Sequence, residues 1–317
     1  MNLKTLNNIF LIFFSIFIGF FISEFVARKI GLGNPLLYKN DELIGYRLRA
    51  NQSKKRFKNS KITIDYEGFR VDPNQINSKN AEIIVFVGDS VTYGGSYIDD
   101  SELFSSIYCK SNSGLICLNS GVNGWGTYNM GRFLSNFAIY SERIPHKFIL
   151  VILPGDDLRN LNKISSLPYW TRSPKNPKAI NELINFVLWK YRVPILMSNN
   201  IENKKEPIKE SAIKRKTINQ AWADLDRYIE SSKSKVDVIL TPPRYWFEQS
   251  KKFNSEIEMY DNYLSMLLSN PNVSKTCNLY YLNKKLYSYN DYVDSVHLSK
   301  DGHKKWANHI KSCLKEK

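Results

Sequence analysis

Four turns rich in glycine and acidic residues hold the side chains best suited to chemistry in this 317-residue chain. They read Gly88-Asp89-Ser90-Val91-Thr92-Tyr93-Gly94, Asn119-Ser120-Gly121-Val122-Asn123-Gly124-Trp125-Gly126, Pro154-Gly155-Asp156-Asp157-Leu158 and Asp294-Ser295-Val296-His297-Leu298. A serine at the mouth of a helix gains from the positive end of the backbone dipoles. It is still a weak nucleophile without a base. Of the four histidines, His297 is the best base, because Asp294 lies three residues before it. A carboxylate there can fix the imidazole tautomer and stabilise the imidazolium. Gly121 and Gly124 permit close backbone approach, so their N–H groups can face an oxyanion. His303 and His309 fall on a terminal helical stretch and read as packing or surface residues; His146 precedes a strand and has no evident partner. A Gly-Asp-Ser run is often only a turn, and a DxxH spacing arises by chance. What distinguishes these four is their order, each placed after an apolar run.

Those runs supply the elements. Ile83–Val87, Leu115–Leu118, Phe148–Leu153, Val236–Leu240 and Leu279–Leu282 are continuous and apolar, and read as buried strands. Asp100–Lys110, Met130–Arg143, Ala212–Ser232, Ile257–Leu268 and Lys300–Leu314 have helical spacing between them. Alternation of this kind predicts an α/β domain over 81–317, doubly wound, with a five-stranded parallel sheet and an insertion at 158–211. Ligands of such sheets sit at the carboxyl ends of the strands, which is where the four turns fall. Residues 30–80 read as an extended lead-in. Lys54, Lys55, Arg56, Lys58 and Lys61 are too dense for a core, Ile62, Ile64 and Tyr66 alternate as a strand, and 74–80 reads as a linker.

The four turns together resemble the sequence blocks of the SGNH (GDSL-like) hydrolases. Gly88-Asp89-Ser90 is similar to the first block, Asn119 to Gly124 to the second, Gly155-Asp156-Asp157 to the third and Asp294 to His297 to the last. The resemblance covers roughly 81–157 and 212–317. It implies a flavodoxin-like SGNH fold and an esterase, lipase, thioesterase, deacetylase or acetyltransferase activity. It also implies Ser90 as nucleophile and first oxyanion donor, Gly124 as second donor, His297 as base and Asp294 as its orienter. The third block of the family carries Asn as a side-chain oxyanion donor, where this chain has Asp156. An ionised carboxylate would repel the oxyanion. Three outcomes are open: Asp156 is protonated by burial and donates, it turns away, or the protein is a binder rather than a catalyst.

The N-terminus is strongly apolar from Ile9 to Ile22, and counting the flanks from Leu6 to Ala27 reaches the length of a membrane span. A cleaved signal peptide fits less well, because cleavage after Ala27 or Ser23 would put Phe25 or Phe21 three residues before the cut. Residues 1–29 are therefore read as an uncleaved transmembrane anchor. Arg28, Lys29 and Lys39 beyond it lean toward a cytoplasmic domain. Cys109, Cys117, Cys277 and Cys313 lean the other way: two local bridges would fit an oxidising compartment, and four buried thiols are the alternative. No CxxC spacing suggests a metal, and no motif calls for a cofactor.

The net charge is +15, and thirteen Lys/Arg against four Glu lie between Arg159 and Lys216. This implies an anionic surface nearby. Nucleic acid is not expected, for want of a finger, an RRM-like run or a basic heptad helix. The insertion also holds Tyr169, Trp170, Trp189 and Tyr191, with 181–191 read as an amphipathic helix, fit for a lid, a polymer groove or a membrane surface. The expected substrate is an acylated carbohydrate or glycolipid of the cell envelope, taken by hydrolysis or transfer. The alternative is a non-catalytic carbohydrate- or surface-binding module.

Overall fold

A computed structural model describes residues 3–75, 81–112, 114–159, 164, 167, 178–190 and 210–315. Its centre is a five-stranded parallel sheet of β5 (Glu82–Gly88), β6 (Leu115–Gly121), β7 (Lys147–Ile152), β8 (Lys235–Leu240) and β9 (Val273–Asn278), in the order β6-β5-β7-β8-β9. This is the α/β architecture expected. The strand order reverses beside β5, which places a topological switch point at its carboxyl end.

The strands are apolar on both faces because both are covered. Val85, Val87, Leu150, Ile152, Val238 and Leu240 pack on one face with Phe133, Trp222 and Tyr260. These three come from helices α4 (Thr127–Ser135), α7 (Glu210–Glu230) and α9 (Ser250–Leu267), the last preceded by the short α8 (Arg244–Glu248). Ile84, Phe86, Ile149, Val151 and Ile239 point to the other face and meet Phe104, Trp306 and Ile310. Those belong to α3 (Phe104–Lys110) and α11 (Lys300–Leu314). The two sets interleave along each strand with the period of two that a pleated strand imposes. On the second face, disulfides Cys109–Cys117 and Cys277–Cys313 join α3 to β6 and β9 to α11. These are the two bridges the cysteine placement suggested.

Three expectations are corrected. The fifth strand is β9, and Leu279–Asn283 is instead the short helix α10. β9 reads VSKTCN and, among the described residues, pairs with β8 alone, at the sheet edge. An edge strand is half solvated and keeps polar residues, so its apolar signal is weak. The stretch 130–143 is not one helix: α4 ends at Ser135 and a single turn, α5 (Phe137–Tyr140), follows.

The third correction concerns the lead-in. It forms two antiparallel hairpins, β1 (Tyr38–Asp41) with β2 (Gly45–Leu48), and β3 (Gln52–Lys55) with β4 (Lys61–Ile64). Ile44, Tyr46, Leu48, Ile62, Ile64 and Phe69 are buried in the main core. Arg70 exchanges backbone hydrogen bonds with Asn119, so the segment continues the open edge of β6. Its guanidinium, fully buried, pairs with Asp100 at 2.9 Å and donates to the carbonyls of Tyr93, Gly95 and Ile98. Alternation keeps two of the lysines out of the core, the paired Lys55 and Lys61 facing outward while Ile62 and Ile64 face in.

The first helix, α1 (Leu3–Lys29), is apolar and exposed over most of its length, and by length and composition it can cross a membrane. Helix α6 (Ala179–Lys190) packs beside its end. It agrees with the helix expected at 181–191. Tyr169, Trp170 and Tyr191 lie outside the described residues.

Candidate active site

Ser90 follows β5 directly. Strand β5 ends at Gly88, and Asp89 caps the short turn of helix α2 (Ser90–Tyr93) by accepting from the Val91 N–H at 2.8 Å. That cap fixes Ser90 half-buried at the first helical position. No described group accepts from its backbone N–H, as helix starts leave their first donors unpaired.

The last turn comes from the other end of the chain. Asp294 Oδ1 accepts from the N–H groups of Val296 and His297, at 2.9 and 2.8 Å, closing a local turn around the carboxylate. Its Oδ2 lies 2.7 Å from His297 Nδ1. On the far side of the ring, Nε2 lies 2.9 Å from Ser90 Oγ. The structure thus brings Ser90, His297 and Asp294 into one line across 207 residues. His297 donating Nδ1–H to the carboxylate leaves Nε2 as acceptor, facing the hydroxyl. Burial pulls the His297 imidazolium down, but the hydrogen bond and charge of Asp294 outweigh it, and the ring sits above its ordinary value. Against burial, the imidazole and two backbone N–H groups hold the Asp294 carboxyl down at about 2.

The two glycines part company. Gly124 has φ +79°, and a Cβ there would meet Tyr46 Oη at 3.0 Å. Gly121 is not an oxyanion donor: its N–H goes to Asn119 Oδ1 at 2.8 Å. Its role is close approach, since a Cβ would lie 2.1 Å from the Tyr93 backbone N. It lets the second turn press against the helix that carries Ser90.

Asp156 is fully buried and turned inward. Its Oδ2 accepts from the Leu153 N–H at 2.9 Å, and Oδ1 lies 2.8 Å from Arg159 Nη1. The same nitrogen lies 3.2 Å from Asp89 Oδ2 and donates to the Trp125 carbonyl at 2.7 Å. Burial and the Asp89 charge push the Asp156 carboxyl up, with Arg159 pulling the other way. Asp157 is the scaffold of this turn, accepting from Trp222 Nε1 and Tyr260 Oη. Tyr260 Oη in turn accepts from the Gly155 N–H.

Sequence reasoning missed three contributors. Arg159 is the first, and its only signal was a cation three residues after an acid in a tight turn. Tyr46 and Tyr38 are the others. Tyr46 Oη donates to the Asn123 carbonyl at 2.6 Å, and Asn123 Nδ2 donates to Tyr38 Oη at 2.9 Å. Trp125 Nε1 and Asn129 Nδ2 donate back to the carbonyls of Tyr46 and Ile44. The first hairpin therefore clamps the turn bearing Gly124. His303 is buried, accepts from the Phe104 N–H and is pushed by burial to about 3; His309 is buried too, so both are packing residues. His146 is exposed beside Glu82. Among the described residues no cluster of metal-ligating side chains occurs.

The chain matches no family model and no curated protein. Among solved structures it is similar to a member of the lipolytic protein G-D-S-L family from Veillonella parvula DSM 2008, at 15% identity. That match covers 74% of this chain and 98% of that one, with a TM-score of 0.39. It is also similar to an acetylxylan esterase from Geobacillus stearothermophilus, solved as a catalytic mutant, at 13% identity over 74% and 95%, TM-score 0.43. A lipase/acylhydrolase from Enterococcus faecalis gives 15% identity over 72% and 93%, with the same TM-score of 0.43. At such identities and scores, the functional reading rests on the site's own geometry.

Proposed function

We propose that this chain is a serine-dependent ester hydrolase or O-acyltransferase of the SGNH type. Its substrates are acyl groups, acetyl foremost, on a cell-envelope polysaccharide or glycolipid. The observation that carries the reading is the line Ser90–His297–Asp294, with contacts of 2.9 and 2.7 Å.

Ser90 Oγ attacks the ester carbonyl while His297 Nε2 takes its proton. The tetrahedral oxyanion is met by the Ser90 and Gly124 N–H groups, donors of a kind worth about 3–4 kcal/mol each. His297 then returns the proton to the leaving alcohol oxygen, and the acyl group stays on Ser90. Water or a sugar hydroxyl attacks next, giving its proton to the same nitrogen; the bond from the acyl carbon to Ser90 Oγ then breaks, His297 returns the proton to Oγ, and the acid or new ester leaves. Asp294 stays ionised throughout and steadies the imidazolium. Asp156 takes no direct part, because both its oxygens are engaged inside the protein.

The domain is held at a membrane by α1 and stands on the oxidising side, a placement favoured by the two disulfides. The sugar substrate is supported by the anchor and by the basic, aromatic insertion.

Turnover of p-nitrophenyl acetate tests the reaction, followed by an O-acetylated glycan and by an acetyl donor with a glycan acceptor. The Ser90→Ala variant is expected to lose on the order of a million-fold in rate. No turnover by the native chain with any of the three, alongside glycan binding, would identify a binding module instead. The absence of Asn at position 156 is what favours that second reading.

A further inference from the structure

The anchor and the catalytic domain meet through a built junction. Glu24 of α1 accepts from the N–H groups of Ala179 and Ile180, at 3.0 and 2.9 Å, and so caps the start of α6. Arg28 pairs with Glu24 at 2.7 Å. On the next turn of α6, Glu182 accepts from the Gly33 N–H at 2.7 Å and pairs with buried Arg56. Ala27, Leu32 and Ala179 form a small dry cluster between them. Gly33 brings the chain so close that a Cβ would lie 2.9 Å from the Ala179 Cβ.

The level of this junction follows from the length of α1. Its 27 residues extend about 40 Å at 1.5 Å each. A hydrocarbon core is about 30 Å thick and takes about 20 residues. The unbroken apolar run closes at Ile22, and Ser23–Lys29 beyond it carries Glu24, Arg28 and Lys29. The apolar boundary thus falls near Ile22. Lys178, just before α6, reaches back to within 5.6 Å of the Phe20 ring. Helix α6 therefore starts at the level where lipid tails give way to head groups. Its inner side, with Ala179 and Glu182, is buried, while Ile184 and Val187 are 47% and 41% exposed. Ile30, at the end of the anchor, is 48% exposed.

We infer that α6 lies in the head-group layer of the bilayer, with Ile184 and Val187 dipping toward the acyl chains and Lys178, Arg28 and Lys29 at the phosphates. An amphipathic helix of this type settles about 5–10 Å into the boundary. Held at two places, α1 and α6, the domain keeps a fixed tilt over the surface. The inference rests on the membrane-anchor part of the proposed function.

Spin labelling tests it on the full chain in phosphatidylcholine–phosphatidylglycerol vesicles. p-Acetylphenylalanine, carrying the label, replaces Ile184 in one sample, Phe17 of α1 in a second and exposed Glu230 in a third. Oxygen partitions into lipid and a nickel chelate stays in water. The oxygen-to-nickel accessibility ratio is expected to be several-fold higher at 184 than at 230, and closer to the value at 17. Equal ratios at 184 and 230, with a lipid value at 17, would overturn the inference and leave the anchor standing. Release of the chain by alkaline carbonate, with an aqueous value at 17, would overturn both.

Discussion

At the scale of single residues, the site turns on two charges handled in opposite ways. His297 is raised by Asp294 against the pull of burial. The reaction needs its neutral form, so kcat/KM is expected to fall on the acid side with a midpoint above about 6.5, the ordinary histidine value. The Asp294→Asn variant removes the raising charge and leaves burial, so its acid limb should move to lower pH while the rate drops by about ten-thousand-fold. A pH–rate profile of both forms checks this; an unmoved midpoint would separate the observed limb from His297. The sign for stability is the reverse. A raised folded-state value stabilises the fold fully below about pH 6.5 and is lost as pH climbs through that value.

The other charge is Asp156. Its replacement of the expected Asn is balanced by Arg159, which stands between two buried carboxylates. Arg159→Ala leaves Asp89 and Asp156 facing each other unpaired. Removing one partner of a buried pair costs about 3–5 kcal/mol. Arg159 is one-third exposed, so roughly 1–3 kcal/mol is expected here. Adding Asp156→Asn to that variant should restore most of the loss, because one of the two facing charges is gone. Urea unfolding of the single and double variants measures it, and additive losses would contradict the pairing.

At the scale of elements, the strand ends were legible because chemistry and hydrophobicity changed together there. Continuous apolar runs marked β5 to β8, and the polar turns after β5, β6 and β7 belong to the site or its frame. β9 was misplaced by one element because an edge strand keeps polar residues, whereas the apolar run after it packs as a helix. The pair Ser90–His297 was readable from residue types, since a serine needs a base and His297 came with its carboxylate. Arg159 was not, because its partners Asp89 and Trp125 lie far away in sequence. Nor was the clamp of Tyr46 on Asn123, for tyrosines in a mostly polar lead-in carry no signal of what they face. That clamp orients the turn bearing Gly124. Tyr46→Phe deletes the bond to the Asn123 carbonyl and leaves the ring in place. A loss of about 1–1.5 kcal/mol corresponds to about tenfold in kcat/KM. Steady-state kinetics should find it mainly in kcat, with KM little changed, as the oxyanion role proposed for that turn requires.

At the scale of the whole molecule, the chain is organised outward from its apolar N-terminal helix. The end of α1 packs on α6, the hairpins of the lead-in pack into the main core, and Ser90 follows the central strand β5 at its carboxyl end. The excess positive charge lies largely in the insertion, whose one described helix packs against the end of the anchor. The lead-in was the part least legible in the sequence. Its lysines advertise solvent, while its buried Arg70, Tyr46 and Ile62 are scattered singly among them.

The clamp of the first hairpin also sets an order of events during synthesis. Tyr46 and Ile44 meet partners 77 to 85 residues downstream. An isolated two-stranded hairpin is marginal in water. At about 5–20 residues per second, those partners leave the ribosome roughly 4–17 seconds later. Through that interval the hairpin waits beside the anchor as an unfinished, tyrosine-bearing ribbon. The hairpin is locked once those partners arrive, and the reactive centre is complete only when His297, 207 residues beyond Ser90, follows.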